Sequence, residues 1–222
     1  MHHVLLLSVL VASNLLGAIP FSLVIGRRVK GIDLRHHGSG NLGATNVYRT
    51  LGAGWGGLCL ALDMAKGVAA VFLMTVVVNN WPEGRAFPLY LPGDFFRVLA
   101  GFFAIVGHSF SPFVNFRGGK GIATSFGVCL VLEPFPSFIG FGAFLAAFLV
   151  TRIVSAGSLA AAVVFPLSVI FFEWRNDDTL SKTLVVFSFV VGVLIIWRHR
   201  ANIRRLRSGT ENVAGIVGLA MA

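Results

Sequence analysis

The sequence predicts an all-α integral membrane protein of about seven transmembrane helices, some of them short or bent. Of its 222 residues, 56% are apolar or aromatic, above the roughly 45–50% of an average soluble protein. Charged residues make up 12%, about half the usual share, and the mean hydropathy is +0.83. These values exclude a water-soluble domain. The 21 phenylalanines and two cysteines exclude a disordered chain and a disulfide scaffold.

The transmembrane helices are predicted from runs of apolar residues. Two of the runs have only about 14 residues, fewer than the ~20 that cross a bilayer. Because Glu133, Pro134 and Pro136 separate these two, they are either two short helices or one bent span. The seven runs are 3–25, 52–79, 95–114, 120–133, 137–150, 156–172 and 181–197.

The positions of Lys and Arg predict the orientation. With seven spans and an external N-terminus, thirteen of these residues fall in internal segments. Only Arg85, Arg175 and Lys182 fall in external segments, and the remaining two, Lys66 and Arg97, lie within spans. The external segments also contain the acidic residues Glu83, Asp94, Glu173, Asp177 and Asp178. Positive residues collect in cytoplasmic loops, so the C-terminus is predicted to be cytoplasmic. We see no repeat and no linker, and therefore expect one membrane-embedded domain, 1–222.

The first polar cluster is GSGNLGATNVYR, residues 38–49. Its three glycines allow tight turns and a close approach of the backbone to a ligand, and Arg49 has the planar fork that suits a phosphate. The alternative is an ordinary loop with a Thr or Asn cap before the span that begins at residue 52. The density of glycine and small polar residues favours anion binding. The candidate donors are Ser39, Asn41, Thr45, Asn46 and Arg49.

The second cluster is HSFSPFVNFRGGKGIAT, residues 108–124. Its glycines stand directly before an apolar helix, whose first N–H groups can bind a phosphate together with the two cations. The spacing is not that of an ATP-binding Walker A loop. The alternative is a basic turn at the membrane edge, where cations reach the lipid headgroups. The candidate residues are Arg117, Gly118, Gly119, Lys120 and Gly121.

The third cluster is RHRANIRRLRSGTEN, residues 198–212. Orientation alone predicts a basic run after the last span. It does not predict His199 and Asn202, which are expected on one helical face, or Glu211 after a glycine. His199 is a candidate for positioning or relaying a proton, and Asn202 for donating to a hydroxyl or phosphate.

Two charged residues lie inside a predicted span. Asp63 and Lys66 are three apart on one helical face, where charges are costly and usually paired. They form either part of a functional site or a structural ion pair. His108 is expected to be a structural hydrogen-bonding residue. We expect no metal site, because the six histidines lack ligand-like spacing, and no nucleophile elbow surrounds Ser39.

The three clusters, in this order and spacing, closely resemble the bacterial acyl-phosphate:glycerol-3-phosphate acyltransferase family. The family patterns GSGNxGATNxxR, H-x-F…FKGGKGxAT and RHxxNIxRLxxGxE all have counterparts here, and the resemblance covers essentially the whole chain. Two departures are that Arg117 replaces the usual Lys, and that Pro112 is shifted by one position after the His.

This resemblance implies transfer of a fatty acyl group from acyl phosphate to the sn-1 hydroxyl of glycerol 3-phosphate, giving lysophosphatidic acid and inorganic phosphate. It implies a site on the cytoplasmic side of the bacterial inner membrane, with membrane lipid around it and no cofactor or nucleic acid. The alternatives are a transporter or channel for organic phosphates and a lipid-binding scaffold.

By the same resemblance, Arg49, Lys120 and Asn202 hold glycerol 3-phosphate, with the backbone of 118–121 around it. Ser39, Asn41 and His199 lie near the acyl phosphate. The base is either a phosphate oxygen of the substrate or His199. Supporting residues are Glu211, expected to pair with an arginine, and His108, Asp63 and Lys66; Ser155 and Ser158 are weaker candidates for phosphate contact.

Overall fold

The computed structural model describes residues 2–82, 86–88, 91–175 and 182–213, all of them helix or loop without a strand. The predicted external residues Glu83, Arg85, Asp177 and Asp178 lie outside this range. The helices are α1 (His2–Ala18), α2 (Phe21–Lys30), α3 (Ala44–Leu51), α4 (Ala53–Asn79), α5 (Gly93–Ser109), α6 (Ile122–Leu132), α7 (Pro134–Thr151), α8 (Val154–Arg175), α9 (Lys182–Arg198) and α10 (Arg200–Arg207).

Six of the seven apolar runs each correspond to one α-helix, and the first run contains nearly all of α1 and the first half of α2. Five segments are long and apolar enough to cross a bilayer: His3–Lys30, Ala53–Asn79, Gly93–Val114, Pro134–Thr151 and Val154–Arg175. The pair α9 and α10, bent by 58°, gives a sixth candidate, and α6 is a shorter apolar helix. The all-helical membrane class is thus confirmed, whereas the orientation of the spans stays a prediction.

One span differs from the sequence prediction, and the structure selects one of the two alternatives for another part of the chain. The first span is broken at Ile19 and Pro20, after which α2 continues to Lys30 and ends at Gly31 in the left-handed region (φ 65°). Proline at this position has no N–H to donate to the preceding turn, so the break is expected there. The runs 120–133 and 137–150 form two separate helices, as the first of the two alternatives predicts: α6 ends at Leu132, and α7 begins at Pro134 after the N-cap Glu133.

The chain divides into two compact units, Met1–Leu132 and Glu133–Ala222. The prediction of a single domain stays a prediction, because two compact units can belong to one domain. In the first unit α1 packs on α5, and α4 packs on α3, α5 and α6. In the second unit α8 packs on both α7 and α9.

Small residues allow the helices of the first unit to approach closely. A Cβ at Gly107 of α5 would overlap the carbonyl of Asn14 in α1, and a Cβ at Gly127 of α6 would overlap that of Met64 in α4. Close packing of this kind is the main source of helix association in lipid, where the hydrophobic effect between helices is weak. It fixes the ends of these helices, and the polar loops begin at those ends.

Candidate active site

The loop of the first cluster is held by Asn46. Its Oδ1 accepts the Ser39 N–H at 2.8 Å, and its Nδ2 donates to the carbonyls of Leu34 and His37 at 3.1 and 3.0 Å. The side chain is 1% exposed. Asn46 was predicted as a substrate ligand, but the structure uses its amide to shape the loop, which favours a positioning role instead.

The glycines of this loop meet two requirements. Gly38 and Gly40 have φ of 61° and 69°, a region that side chains disfavour, and a Cβ at Gly38 would overlap the amide of Asn46. Gly43 is the N-cap of α3, so neither Thr45 nor Asn46 caps a helix. The short helix α3, between the loop and the span that begins at residue 53, was not predicted from the sequence.

The outer part of this cluster is accessible. Ser39 and Arg49 are exposed, whereas Asn41 and Thr45 are half-buried. Within the described ranges, the guanidinium of Arg49 makes no hydrogen bond or ion pair. Arg49 follows Asn46 by three residues on α3, so it lies near the loop that Asn46 holds. Because Arg49 is exposed, its charge is accessible to an anion at that loop.

The second cluster is built by close backbone contacts. The N–H of Gly119 donates to the His108 carbonyl at 3.1 Å. A Cβ at Gly119 would overlap both the His108 ring and the Leu42 carbonyl, so this glycine joins the first loop to the second. Gly121, at φ 83°, directly precedes α6. Lys120, between Gly119 and Gly121, is half-buried, and Arg117 is exposed.

A buried charged network lies behind these loops. Lys66 Nζ is 2.8 Å from Asp63 Oδ1 and 2.8 Å from His108 Nδ1, and it donates to the Ile19 carbonyl at 3.1 Å. Asp63 is 2% and Lys66 3% exposed. The sequence indicates an ion pair of Asp63 and Lys66 as one of two alternatives and a hydrogen-bonding role for His108, but it does not indicate that these residues meet at the break between α1 and α2.

The orientation of His108 follows from this network. Because the Lys66 ammonium donates to Nδ1, the neutral ring has its proton on Nε2, the nitrogen that faces Gly119. The ring and the carbonyl of His108 both contact the Gly-rich loop. A small cleft, partly open to solvent, lies here and is lined by Phe21, Leu42, Asp63, His108, Gly118 and Gly119.

In the second unit, Glu211 organises the third cluster. Its Oε1 accepts from Asn202 at 2.7 Å and from Ser155 at 3.1 Å, and its Oε2 accepts from Arg205 Nε at 2.7 Å. The arginine expected to pair with Glu211 is therefore Arg205. Burial acts to raise the pKa of Glu211, but the hydrogen bonds from Asn202, Arg205 and Ser155 and the Arg205 charge outweigh it and hold the pKa below its ordinary value.

The two serines that are the weaker candidates for phosphate contact donate to other groups. The Ser155 hydroxyl donates to Glu211, and the Ser158 hydroxyl donates to the Val154 carbonyl one turn back in α8 at 3.0 Å. Both residues are buried. Their contacts favour a structural role.

His199 stands at the bend between α9 and α10. It is the N-cap of α10, its carbonyl accepts the Ile203 N–H at 2.9 Å, and Asn202 lies in the first turn of that helix. His199 is 2% exposed, and its Nδ1 is 2.8 Å from the Ile195 carbonyl. A carbonyl only accepts, so Nδ1 has the proton, and in the neutral ring Nε2 has the lone pair that a base needs.

The described residues contain no group of three His, Cys, Asp or Glu side chains placed to hold a metal ion. The fold and the site together define a helical membrane protein with several spans, in which cations lie near glycine-rich loops. The family model for glycerol-3-phosphate acyltransferase matches residues 7–209. The chain belongs to the glycerol-3-phosphate acyltransferase family.

Individual relatives agree with this assignment. The glycerol-3-phosphate acyltransferases of Chlorobaculum parvum and Chlorobaculum tepidum are each 38% identical to this chain, over 93% of it and 95% of theirs. Among solved structures, the glycerol 3-phosphate form of PlsY (YgiH), an integral membrane glycerol 3-phosphate acyltransferase, is 34% identical with a TM-score of 0.79. That match covers 95% of this chain and 96% of PlsY. The lysophosphatidic acid form of PlsY is 33% identical with a TM-score of 0.77, over 95% of each chain.

The buried network generates a stability prediction. D63N or K66M should each lower the free energy of unfolding by about 3–5 kcal/mol, because each leaves a buried charge without its partner. The double variant D63L/K66M should recover much of that loss. Thermal unfolding in detergent measures both effects.

The partly exposed pair of Asp94 and Arg97, also three apart and 2.6 Å from each other, provides the control; Arg97 is half-buried and also donates to Asn79 Oδ1. D94N/R97Q should change the stability by about 1 kcal/mol or less, because exposed ion pairs contribute little. Equal stability of wild type, D63N and K66M would show that the buried pair does not stabilise the fold.

The contacts of Glu211 generate a pH prediction. Because its pKa is lowered in the folded protein, its contribution is fully present above the ordinary value of 4.5 and is lost as the pH falls through the lowered pKa. Hydrogen exchange of residues 199–211, corrected for its intrinsic pH dependence, should therefore lose protection in acid. In E211Q, protection should be lower at neutral pH and should not change in acid. Identical pH profiles for the two proteins would contradict this assignment.

Proposed function

We propose that this protein transfers a fatty acyl group from acyl phosphate to the sn-1 hydroxyl of glycerol 3-phosphate, the first acylation of phospholipid biosynthesis. Membership of the glycerol-3-phosphate acyltransferase family supports the acceptor. The PlsY structures, one in a glycerol 3-phosphate form and one in a lysophosphatidic acid form, support the acceptor and the product. The three sequence patterns support acyl phosphate as the donor.

The reaction needs no covalent acyl-enzyme. The acceptor hydroxyl oxygen attacks the acyl carbonyl carbon, a new ester bond forms, and the carbon–oxygen bond to phosphate breaks. Phosphate leaves with the electron pair, and the hydroxyl proton passes to a phosphate oxygen or to Nε2 of His199. Because a mixed carboxylic–phosphoric anhydride already has a good leaving group, positioning and cations can provide the catalysis.

In the first unit, we assign phosphate binding to Arg49, Lys120 and the backbone of residues 118–121. The accessible guanidinium of Arg49 and the contact of Gly119 with Leu42, which joins the two loops, support this assignment. Asn46 holds the first loop in shape. Ser39 and Asn41, on the same loop, are assigned to the acyl phosphate, with Thr45 and Arg117 as further phosphate contacts.

In the second unit, Asn202 is assigned to the glycerol 3-phosphate and His199 to the acyl phosphate. The hydrogen bond to Glu211 supports this role for Asn202, because it orients the amide. The hydrogen bond of Nδ1 to Ile195 supports the role of His199, because it fixes the ring. The excess of Lys and Arg in the predicted internal segments supports a cytoplasmic site in the inner membrane.

The donor is tested with purified protein, labelled glycerol 3-phosphate, and either palmitoyl phosphate or palmitoyl-CoA. Lysophosphatidic acid should form when the donor is palmitoyl phosphate and not when it is palmitoyl-CoA, with one inorganic phosphate released for each product molecule. Product from the thioester alone would overturn the proposed donor. No product from either donor, in protein shown to be folded, would favour the phosphate transporter.

The phosphate-binding residues are tested with R49A and K120A. Each should lower turnover by about 100-fold or more, because each removes a charge from the site where phosphate charge is stabilised. R28A is the matched control, since Arg28 is exposed on α2 and belongs to none of the clusters. Full activity in R49A or K120A would remove that residue from the site.

A further inference from the structure

The outward face of α10 presents three arginines in one stripe. Arg200, Arg204 and Arg207 are all exposed, and at about 100° per residue they fall within about 60° of one another around the helix. Asn202 and Arg205 lie toward the other side, where they donate to Glu211. In the pattern RHxxNIxRLxxGxE the three arginines occupy unspecified positions, so that pattern does not explain them.

The charge of this stripe is not neutralised by carboxylates, although Arg200 donates to the Trp197 carbonyl at 3.2 Å. In the part of the chain that the structure describes, none of the three arginines forms an ion pair. Like charges three and four residues apart repel each other on a helix. The helix dipole favours Arg204 and Arg207 near the end of α10 but opposes Arg200, its first residue. Anions outside the protein would relieve both effects.

The neighbouring tryptophan indicates where those anions are. Trp197 is 47% exposed, and the guanidinium carbon of Arg200 lies 4.6 Å from its ring centroid. Tryptophan is enriched at the boundary between a bilayer and water. The stripe begins where the apolar α9 ends and the chain bends by 58°. The end of an apolar span is where the lipid headgroups are expected.

We propose that Arg200, Arg204 and Arg207 bind the phosphates of anionic phospholipids in the surrounding membrane and thereby stabilise α10. The eight residues of α10 are too few for a helix that is stable alone. The inward face is held by Glu211, and the lipid phosphates hold the outward face. This inference goes beyond the proposed function and does not depend on it, because it concerns a surface that takes no part in acyl transfer.

The test is hydrogen exchange of residues 197–211 at neutral pH, in nanodiscs of phosphatidylcholine with and without phosphatidylglycerol. In the wild type, the anionic lipid should slow exchange by about tenfold or more, since each cation near an anionic surface is attracted to it. About 1 M salt should remove the difference by screening. In R200Q/R204Q/R207Q, exchange should be the same in both kinds of nanodisc.

The matched control is R28Q/K30Q/R152Q, which removes three exposed cations from other segments. This variant should respond to phosphatidylglycerol as the wild type does. Exchange in α1 and α4 shows that each variant is folded. The proposal is overturned if the wild type does not respond, if the stripe variant still responds, or if the control loses the response equally. Equal slowing by inorganic phosphate in neutral nanodiscs would also overturn it, because the ligand would then be a free anion.

Discussion

The arrangement of the helices in the first unit depends on the contacts of the Lys66 ammonium group. A charge buried inside a membrane protein is costly unless other groups compensate it. Here the carboxylate of Asp63, the ring of His108 and the carbonyl of Ile19 do so together. These groups belong to α4, to the end of α5 and to the break after α1, so all three elements must meet at one point. Because His108 also contacts Gly119, this network positions the glycine-rich loop of residues 118–121.

The second unit follows the same principle with the opposite charge. Glu211 is buried and receives hydrogen bonds from Asn202, Ser155 and Arg205, which ties α10 to the start of α8. In both units the buried charge is satisfied by the protein and shapes a loop. The cations that remain accessible, such as Arg49, stand beside those loops. The charges that hold the structure and the cations that we assign to ligand binding are thus separate sets of residues, although the sequence places them in the same motifs.

The helical class was predictable because lipid requires every backbone group to be paired within its own helix. Hydrophobicity then locates the helices, as it did for all seven apolar runs. The break at Pro20 could have been predicted, because a proline inside the apolar run 3–25 interrupts a helix. The network of Lys66 and His108 had none, since these residues are 42 positions apart and meet only in the folded chain. Likewise, nothing local showed that the amide of Asn46 turns inward to the loop.

The arginines of the third motif illustrate why composition alone cannot assign a role. Arg205 and Arg204 are neighbours in the sequence, yet the first pairs with Glu211 and the second faces outward, because a helix turns about 100° per residue. A short helix with an ion-paired inner face and a charged outer face is most stable when both faces have partners. The orientation of Asn202, on the inner face, then depends on the protein through Glu211 and on the membrane through the arginine stripe. In this way the lipid that surrounds the protein influences the geometry of a residue assigned to its substrate.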